Sequence, residues 1–183
     1  MGAGGSNYER ELKDLLQGDP ESVERYARGM PPSERVRVRD AARAPFLVVR
    51  AAGSLGFDLV ALRRECAFPV EVKASAADTI RFSAASGRAD RQLEAHRRAV
   101  DRVGLAVVYA YRRLGHRGGD RWRLFATGSA GATGWSAILL RRLPPVDTTR
   151  DGNAVLRWEA GYPLTRFLEL VSELTNSRTV AGA

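Results

Sequence analysis

The amino-acid sequence predicts an α/β domain in which helices flank a central mixed β-sheet. Three short apolar runs with strand character lie between residues 46 and 73, and two more follow between 105 and 127. Helical patterns precede the first group and separate it from the second. The order helix, three strands, helix, two strands is typical of a mixed sheet covered by helices, and 183 residues fit one domain.

The first part of the chain is predicted to contain a helix, a long connection and three strands. Asn7 is suited to cap a helix over Tyr8–Gln17, because its side chain can accept a bond from a free amide of the first turn. Residues 18–45 are polar, rich in Arg and interrupted by prolines, so we expect a loop-like insertion with a short helix over Glu21–Arg28. Apolar composition or strict alternation predicts the strands Phe46–Arg50, Phe57–Leu62 and Phe68–Lys73.

The second part is predicted to contain two helices and further strands. Residues Asp90–Val103 have a helical pattern that ends at Gly104, a residue suited to a helix C-terminus. Leu105–Tyr111 is an apolar run, and Trp122–Thr127 can pair with it. From about residue 128 the signals weaken, and we expect an extension with a strand over Trp135–Leu140 and a helix over Pro163–Leu174.

The charge balance favours a polyanionic partner. Lys and Arg number 29 against 21 Asp and Glu, a formal net charge of +8, and nucleic acid is the commonest partner of such a domain. A GC-rich genome, which loads proteins with Arg, is the alternative explanation. One cysteine and two histidines argue against a disulfide framework and a multi-cysteine or His-rich metal site. No apolar run reaches the ~18 residues of a membrane helix, so we expect a cytoplasmic protein without a membrane partner.

Four charged residues in apolar surroundings form the candidate site. Asp58 interrupts the second strand, and Glu71 and Lys73 lie two apart on the third, so their side chains point the same way. Glu9 lies on the apolar stripe of the first helix, although Glu11 also fits by spacing. Carboxylates from adjacent strands suit Mg²⁺, and a nearby lysine can orient water or stabilise charge on a phosphate. The pattern indicates metal-assisted phosphodiester hydrolysis; the alternative is an ion-pair network on a half-exposed sheet.

Four segments carry a resemblance to a known family. They are Glu9–Leu12, Val49–Ser54, Phe57–Ala61 and Val70–Lys73, and they follow one another as in archaeal Holliday junction resolvases of the PD-(D/E)xK nuclease superfamily. The resemblance extends from Tyr8 to about Thr127. It implies a restriction-endonuclease-like core. It also implies an Mg²⁺-dependent enzyme, with Mn²⁺ as a substitute, that resolves four-way DNA junctions by paired symmetric nicks.

The resemblance also assigns roles to residues and partners. It favours Glu9 over Glu11, and it implies a homodimer, because a four-way junction presents two symmetry-related strands. A sliding clamp is a further candidate partner. Ser54 would lie on the loop that approaches the scissile strand. The implied catalytic residues are Glu9, Ser54, Asp58, Glu71 and Lys73, of which Glu9, Asp58 and Glu71 would bind metal; the implied DNA contacts are Arg10, Arg50, Ser54 and Arg91.

The sequence departs from the resolvase pattern in three places. Residues 18–45 are longer than the usual connection, residues after 128 have no counterpart, and Phe57 stands where the superfamily has proline. The alternatives are a repair or restriction-type nuclease that cuts other branched or linear DNA, and a catalytically silent DNA-binding scaffold. We expect the apolar surface of a dimer to come from Leu105–Tyr111, Trp135–Leu140 and Pro163–Leu174.

Other chemically distinctive side chains have plainer interpretations. Cys66 is predicted to fill a small apolar space, and the three tryptophans to anchor a core or an interface. His96 and His116 are expected at the surface. Gln92 is expected there as well, although it could contact the site in a nuclease of this class.

Overall fold

A mixed sheet flanked by helices forms the centre of the structure, as the sequence predicts, and it has six strands. The computed structural model describes residues 3–51, 56–82, 88–129 and 131–180. Within these ranges the helices are α1 (Ala3–Leu16), α2 (Pro20–Ala27), α3 (Pro32–Ala42), α4 (Arg88–Asp101), α5 (Gly134–Arg142) and α6 (Leu164–Val180). The strands are β1 (Leu47–Arg50), β2 (Leu59–Arg63), β3 (Cys66–Ser75), β4 (Thr79–Phe82), β5 (Ala106–Arg113), β6 (Trp122–Gly128), β7 (Asp147–Thr148), β8 (Ala154–Arg157) and β9 (Tyr162–Pro163).

The central sheet has the strand order β1-β2-β3-β5-β6-β9. Its neighbouring strands are antiparallel, except that β3 and β5 run parallel. A parallel pair cannot be joined by a tight turn, so the chain leaves β3, passes through β4 and α4, and returns as β5. This connection places α4 against β5, beside the strand that carries Glu71 and Lys73.

The two faces of the sheet belong to two hydrophobic clusters. Along β5 the side chains of residues 106, 108 and 110 join one cluster, and those of 107, 109 and 111 join the other, as the two-residue period of a strand requires. Residues of α1, α2, α3, α5 and α6 cover the first face, while Leu93 and Val100 of α4 lie in the second cluster. Both clusters therefore depend on the same strand. None of the helices in the described ranges has the length and apolar character needed to cross a bilayer.

The short helix predicted over Glu21–Arg28 is confirmed as α2, but the loop predicted for the rest of residues 18–45 is wrong, because α3 forms there. Apolar side chains of both helices enter the first cluster, Val23 and Tyr26 among them. Asp19 caps α2 by accepting a hydrogen bond from Ser22 N at 2.9 Å. Pro20 and Pro32 each stand in the first helical turn, where a missing N–H removes no hydrogen bond. The prolines that suggested broken structure thus begin two helices.

The segment after residue 128 also differs from its prediction. Residues Trp135–Leu140 lie in a helix, α5, and not in a strand. Trp135, Leu139 and Leu143 are buried four residues apart, which is the spacing of one helix face. The final helix is confirmed as α6. A second sheet, β4-β8-β7, was not predicted, since its strands have only two to four residues.

The expected apolar dimer surface is wrong in its location. Of the three segments proposed for it, β5 is buried on both faces of the sheet, and α5 and α6 pack their apolar residues into the chain's own first cluster. These apolar residues are buried within a single chain and are therefore not available to form a dimer surface. Among the described residues, the exposed large apolar side chains are Val36, Leu47, Val49 and Val103.

A buried carboxylate joins α2, β6 and α6. Asp120 Oδ1 accepts hydrogen bonds from Tyr26 OH and from Trp122 N, the latter at 2.9 Å. Its Oδ2 accepts from Thr165 N at 2.7 Å and from Thr165 Oγ1 at 3.0 Å. Burial and the neighbouring Asp120 charge raise the pKa of Tyr26, so the phenol keeps the proton that it donates. Four donors thus converge on one acidic side chain.

We expect Asp120→Asn to lower the free energy of unfolding by about 2 kcal/mol, because an amide NH₂ would replace one oxygen and face donors. Urea unfolding measures the change, with Asp151→Asn in the exposed turn between β7 and β8 as the matched control. An unfolding midpoint equal to that of the wild type would contradict this role.

Candidate active site

Asp58 and Glu71 lie side by side on one face of the central sheet. Asp58 was predicted within the second strand, but it immediately precedes β2. Its N–H donates to Val70 O at 3.1 Å, which continues the β2–β3 pairing. Asp58 Oδ2 accepts from Val72 N at 2.7 Å. The Asp58 side chain is therefore held across β3, between the positions of Glu71 and Lys73.

Glu71 is a buried carboxylate with one free oxygen. Its side chain is 3% exposed, and Oε1 accepts from Lys73 Nζ at 2.6 Å. Oε2 has no hydrogen-bond partner among the described residues. Burial raises the pKa of Glu71 to about 7; Lys73 lowers this pKa and the Asp58 charge raises it. The surrounding protein thus leaves part of the negative charge of Glu71 uncompensated.

Lys73 is held by two acceptors from different elements. Besides Glu71, Lys73 Nζ donates to Oε1 of Gln92 on α4 at 3.0 Å. The Nε2 of Gln92 donates to Gly56 O at 3.4 Å, just before Asp58 in the chain. The expected surface position of Gln92 is therefore wrong, and its alternative, a contact with the site, is correct. The sequence signal was its place near the start of the helix after β3.

Glu9 is the helix carboxylate next to Asp58. Burial is the main cause that raises the pKa of Asp58; the Val72 N–H opposes it, and the Glu9 charge adds to it. Glu9 Oε2 accepts from Arg50 Nη2 at 2.6 Å. Glu11 instead pairs with Arg112 at 3.2 Å. The structure thus places Glu9 near the candidate site and pairs Arg50, a predicted DNA contact, with it.

The pair of carboxylates has donor atoms that fit a divalent cation. Within the described ranges, no three His, Cys, Asp or Glu side chains are arranged to hold a metal ion by themselves. Asp58 and Glu71 form a pair, and two protein carboxylates completed by water and phosphate oxygens are the usual protein environment of Mg²⁺. A bound divalent cation would give Oε2 of Glu71 a partner and would offset the causes that raise the pKa values of both acids. The metal role of Glu9 stays a prediction.

The remaining predicted residues divide between exposed and undescribed positions. Arg10 on α1 and Arg91 on α4 are exposed, as DNA contacts require. Ser54 lies outside the described residues. Trp122, Trp135 and Trp158 are buried anchors, and Cys66 is a fully buried filler, as predicted.

His96 is a site residue that sequence reasoning missed. It was expected at the surface, yet it is 2% exposed, with Nε2 at 3.9 Å from Glu71 Oε2. Its place on α4, one turn after Gln92 on the same helix face, is the signal that could have found it. His116 is partly buried near Trp158.

Comparison with known proteins gives a distant similarity among solved structures. No protein-family model matches the chain, and no curated protein matches it. Among solved structures, the chain is similar to Hjc of Archaeoglobus fulgidus, a Holliday junction resolvase from an archaeal hyperthermophile. The similarity has 19% sequence identity and a TM-score of 0.43, and it covers 79% of this chain and 95% of that chain.

Proposed function

We propose that this chain is an Mg²⁺-dependent endodeoxyribonuclease that cuts branched DNA, with the four-way junction as its substrate. The observation that carries the proposal is the juxtaposition of Asp58, Glu71 and Lys73, with Glu71 Oε2 buried and without a hydrogen-bond partner in the described structure. Most buried carboxylate oxygens in native structures have a hydrogen-bond partner, so an oxygen without one, beside Asp58 and Lys73, favours a ligand site over a purely structural ion-pair network.

Asp58 and Glu71 would hold the metal ion in this proposal. When bound, such an ion acidifies a coordinated water and neutralises charge on the scissile phosphate. The backbone of Val72 orients Asp58 through the 2.7 Å hydrogen bond, and the Lys73 ammonium orients Glu71 through the 2.6 Å contact. Both carboxylates are therefore fixed before substrate arrives, which is the arrangement that catalysis by preorganised charge requires.

Lys73 would stabilise the charge that develops during attack of water on phosphorus. Its side chain is 22% exposed, so Lys73 borders solvent, from which a phosphate would approach. Gln92 and Glu71 hold the ammonium from two sides, which restricts the long side chain to one position. A compact point charge suits a group that must serve both a carboxylate and a phosphate.

DNA as the substrate rests on charge and on the motif resemblance. The net charge of +8 is accompanied by exposed arginines on elements next to the site, Arg10 on α1, Arg81 on β4 and Arg91 on α4. Such residues bind phosphates irrespective of base sequence. The resemblance to junction resolvases is the reason for proposing the four-way junction as the DNA substrate. Paired nicking requires two sites, so the proposal includes a homodimer.

Cleavage of a synthetic four-way junction tests the proposal. We expect the purified protein to nick opposite strands of the junction and to release both products in the presence of Mg²⁺ or Mn²⁺. Addition of EDTA should abolish cleavage. Linear duplexes of the same arm sequences should be cut at least about tenfold more slowly, and light scattering should report a dimer. Equal cleavage of junction and duplex would favour a repair or restriction-type nuclease. Junction binding without cleavage under every metal condition would favour the silent scaffold.

A further inference from the structure

The turn that leads into Asp58 is clasped by a buried histidine. His96 Nε2 lies 2.5 Å from Gly56 O, and its Nδ1 lies 2.8 Å from the hydroxyl of Tyr109 on β5. A carbonyl oxygen can only accept, so Nε2 must carry a proton and donate to it. A neutral ring then leaves Nδ1 to accept from Tyr109 OH. Both ring nitrogens are satisfied in a single tautomer, which fixes the orientation of the ring.

Further contacts hold the same turn. The ring of Phe57 stacks on the His96 ring with centroids 4.3 Å apart and planes inclined by 28°. Gln92, one helical turn earlier on α4, also donates to Gly56 O. Gly56 has a φ of +76°, a left-handed conformation that glycine adopts without strain. Residues 56 and 57 are thus attached to α4 immediately before the chain reaches Asp58.

The environment of His96 is more specific than a core residue needs. An apolar side chain in its place would leave Gly56 O and Tyr109 OH without these partners. Its Nε2 also borders Glu71 Oε2, at 3.9 Å. A lysine or arginine here would supply a permanent positive charge to that oxygen and so compete with a metal ion, whereas a neutral imidazole does not.

We propose that His96 is a positioning residue, which holds the turn at Gly56 and Phe57 through its Nε2–H and so sets Asp58 against Glu71 for metal binding. This inference rests on the proposed function. A misplacement of about 1 Å at a reacting centre can lower a rate about 100-fold, so the loss of this bond should act on turnover more than on DNA binding.

Two amide substitutions separate the two hydrogen bonds of the ring. The amide nitrogen of His96→Gln can reach the position of Nε2 and donate to Gly56 O. The amide of His96→Asn reaches only the position of Nδ1, where its oxygen can accept from Tyr109 OH. We expect His96→Gln to keep kcat within about threefold of the wild type, and His96→Asn to lower kcat by about 30- to 100-fold with KM for the junction unchanged. Tyr109→Phe is the matched control, because it removes the bond at Nδ1 and keeps the bond to Gly56.

Calorimetric titration of the protein with Mn²⁺ in the absence of DNA measures metal binding independently of cleavage. We expect His96→Asn to bind Mn²⁺ at least about tenfold more weakly than His96→Gln and Tyr109→Phe, at similar melting temperatures. This order would support the positioning role even if no DNA substrate were cut, so failure of the nuclease proposal is recognised separately. Equal Mn²⁺ affinity and kcat in both amide variants would overturn the inference. A loss of activity that follows the melting temperature across all three variants would assign His96 to stability alone.

Discussion

Asp58→Asn will reduce Mg²⁺-dependent junction cleavage by at least about 10³-fold and leave junction affinity within about threefold of the wild type. The substitution removes the negative charge of a proposed metal ligand. The amide oxygen of Asn can still accept from Val72 N, so the NH₂ group, which cannot bind a metal ion, replaces the other carboxylate oxygen. The exposed arginines that would meet the phosphates are untouched. The measurement is single-turnover cleavage of a labelled junction, with affinity determined separately in the absence of metal.

Asp101→Asn makes the same chemical change at a harmless position. Asp101 is exposed at the end of α4, more than two helical turns beyond Gln92, so its substitution should leave both cleavage and binding unchanged. Retained nicking by highly purified Asp58→Asn protein would remove this site from the mechanism. Loss of activity in both variants would point to a general effect of lowered negative charge.

Most of the central sheet was predictable because its longer strands have a recognisable local sequence pattern. Apolar runs, or alternation as in residues 68–73, predicted five of its strands correctly from local sequence. The helices α3 and α5 were harder to predict, since α3 follows two adjacent prolines and α5 is rich in Trp, Ile and Leu, residues that also suit strands. Their identity is settled by which side chains meet the sheet, and that is a property of the tertiary structure.

The site was predictable to the extent that its residues share one short stretch of chain. Asp58, Glu71 and Lys73 lie on paired elements, so spacing along the sequence implies closeness in space. Gln92 and His96 reach the same place from α4, and their sequence signal is weak: they lie one turn apart on one face of that helix. Only the return of the chain from β3 to β5 brings that helix face over the carboxylates.

Glu71→Gln should abolish cleavage as Asp58→Asn does, yet it should make the protein more stable. The carboxyl has a pKa of about 7 in the folded protein, above its usual value of 4.5, because burial disfavours its charge. The folded state therefore binds this proton more tightly than the unfolded chain does. The stability associated with the group is complete below about pH 4.5 and is lost as pH rises through 7.

The amide of Glu71→Gln does not titrate, so the variant does not lose stability from this group as pH rises. At pH 8 we expect its free energy of unfolding to exceed that of the wild type by up to roughly 3 kcal/mol, and at pH 4.5 we expect the difference to vanish. Urea unfolding at the two pH values measures both, with Glu94→Gln, in an exposed pair with Arg98, as the control that should change little.

Mg²⁺ should stabilise the wild type at pH 8 and leave Glu71→Gln unaffected, because an ion that binds only the folded carboxylates shifts the equilibrium toward folding. A variant less stable than the wild type at pH 8 would mean that Glu71 is a satisfied structural ion pair, and the metal-site interpretation of its buried oxygen would be wrong.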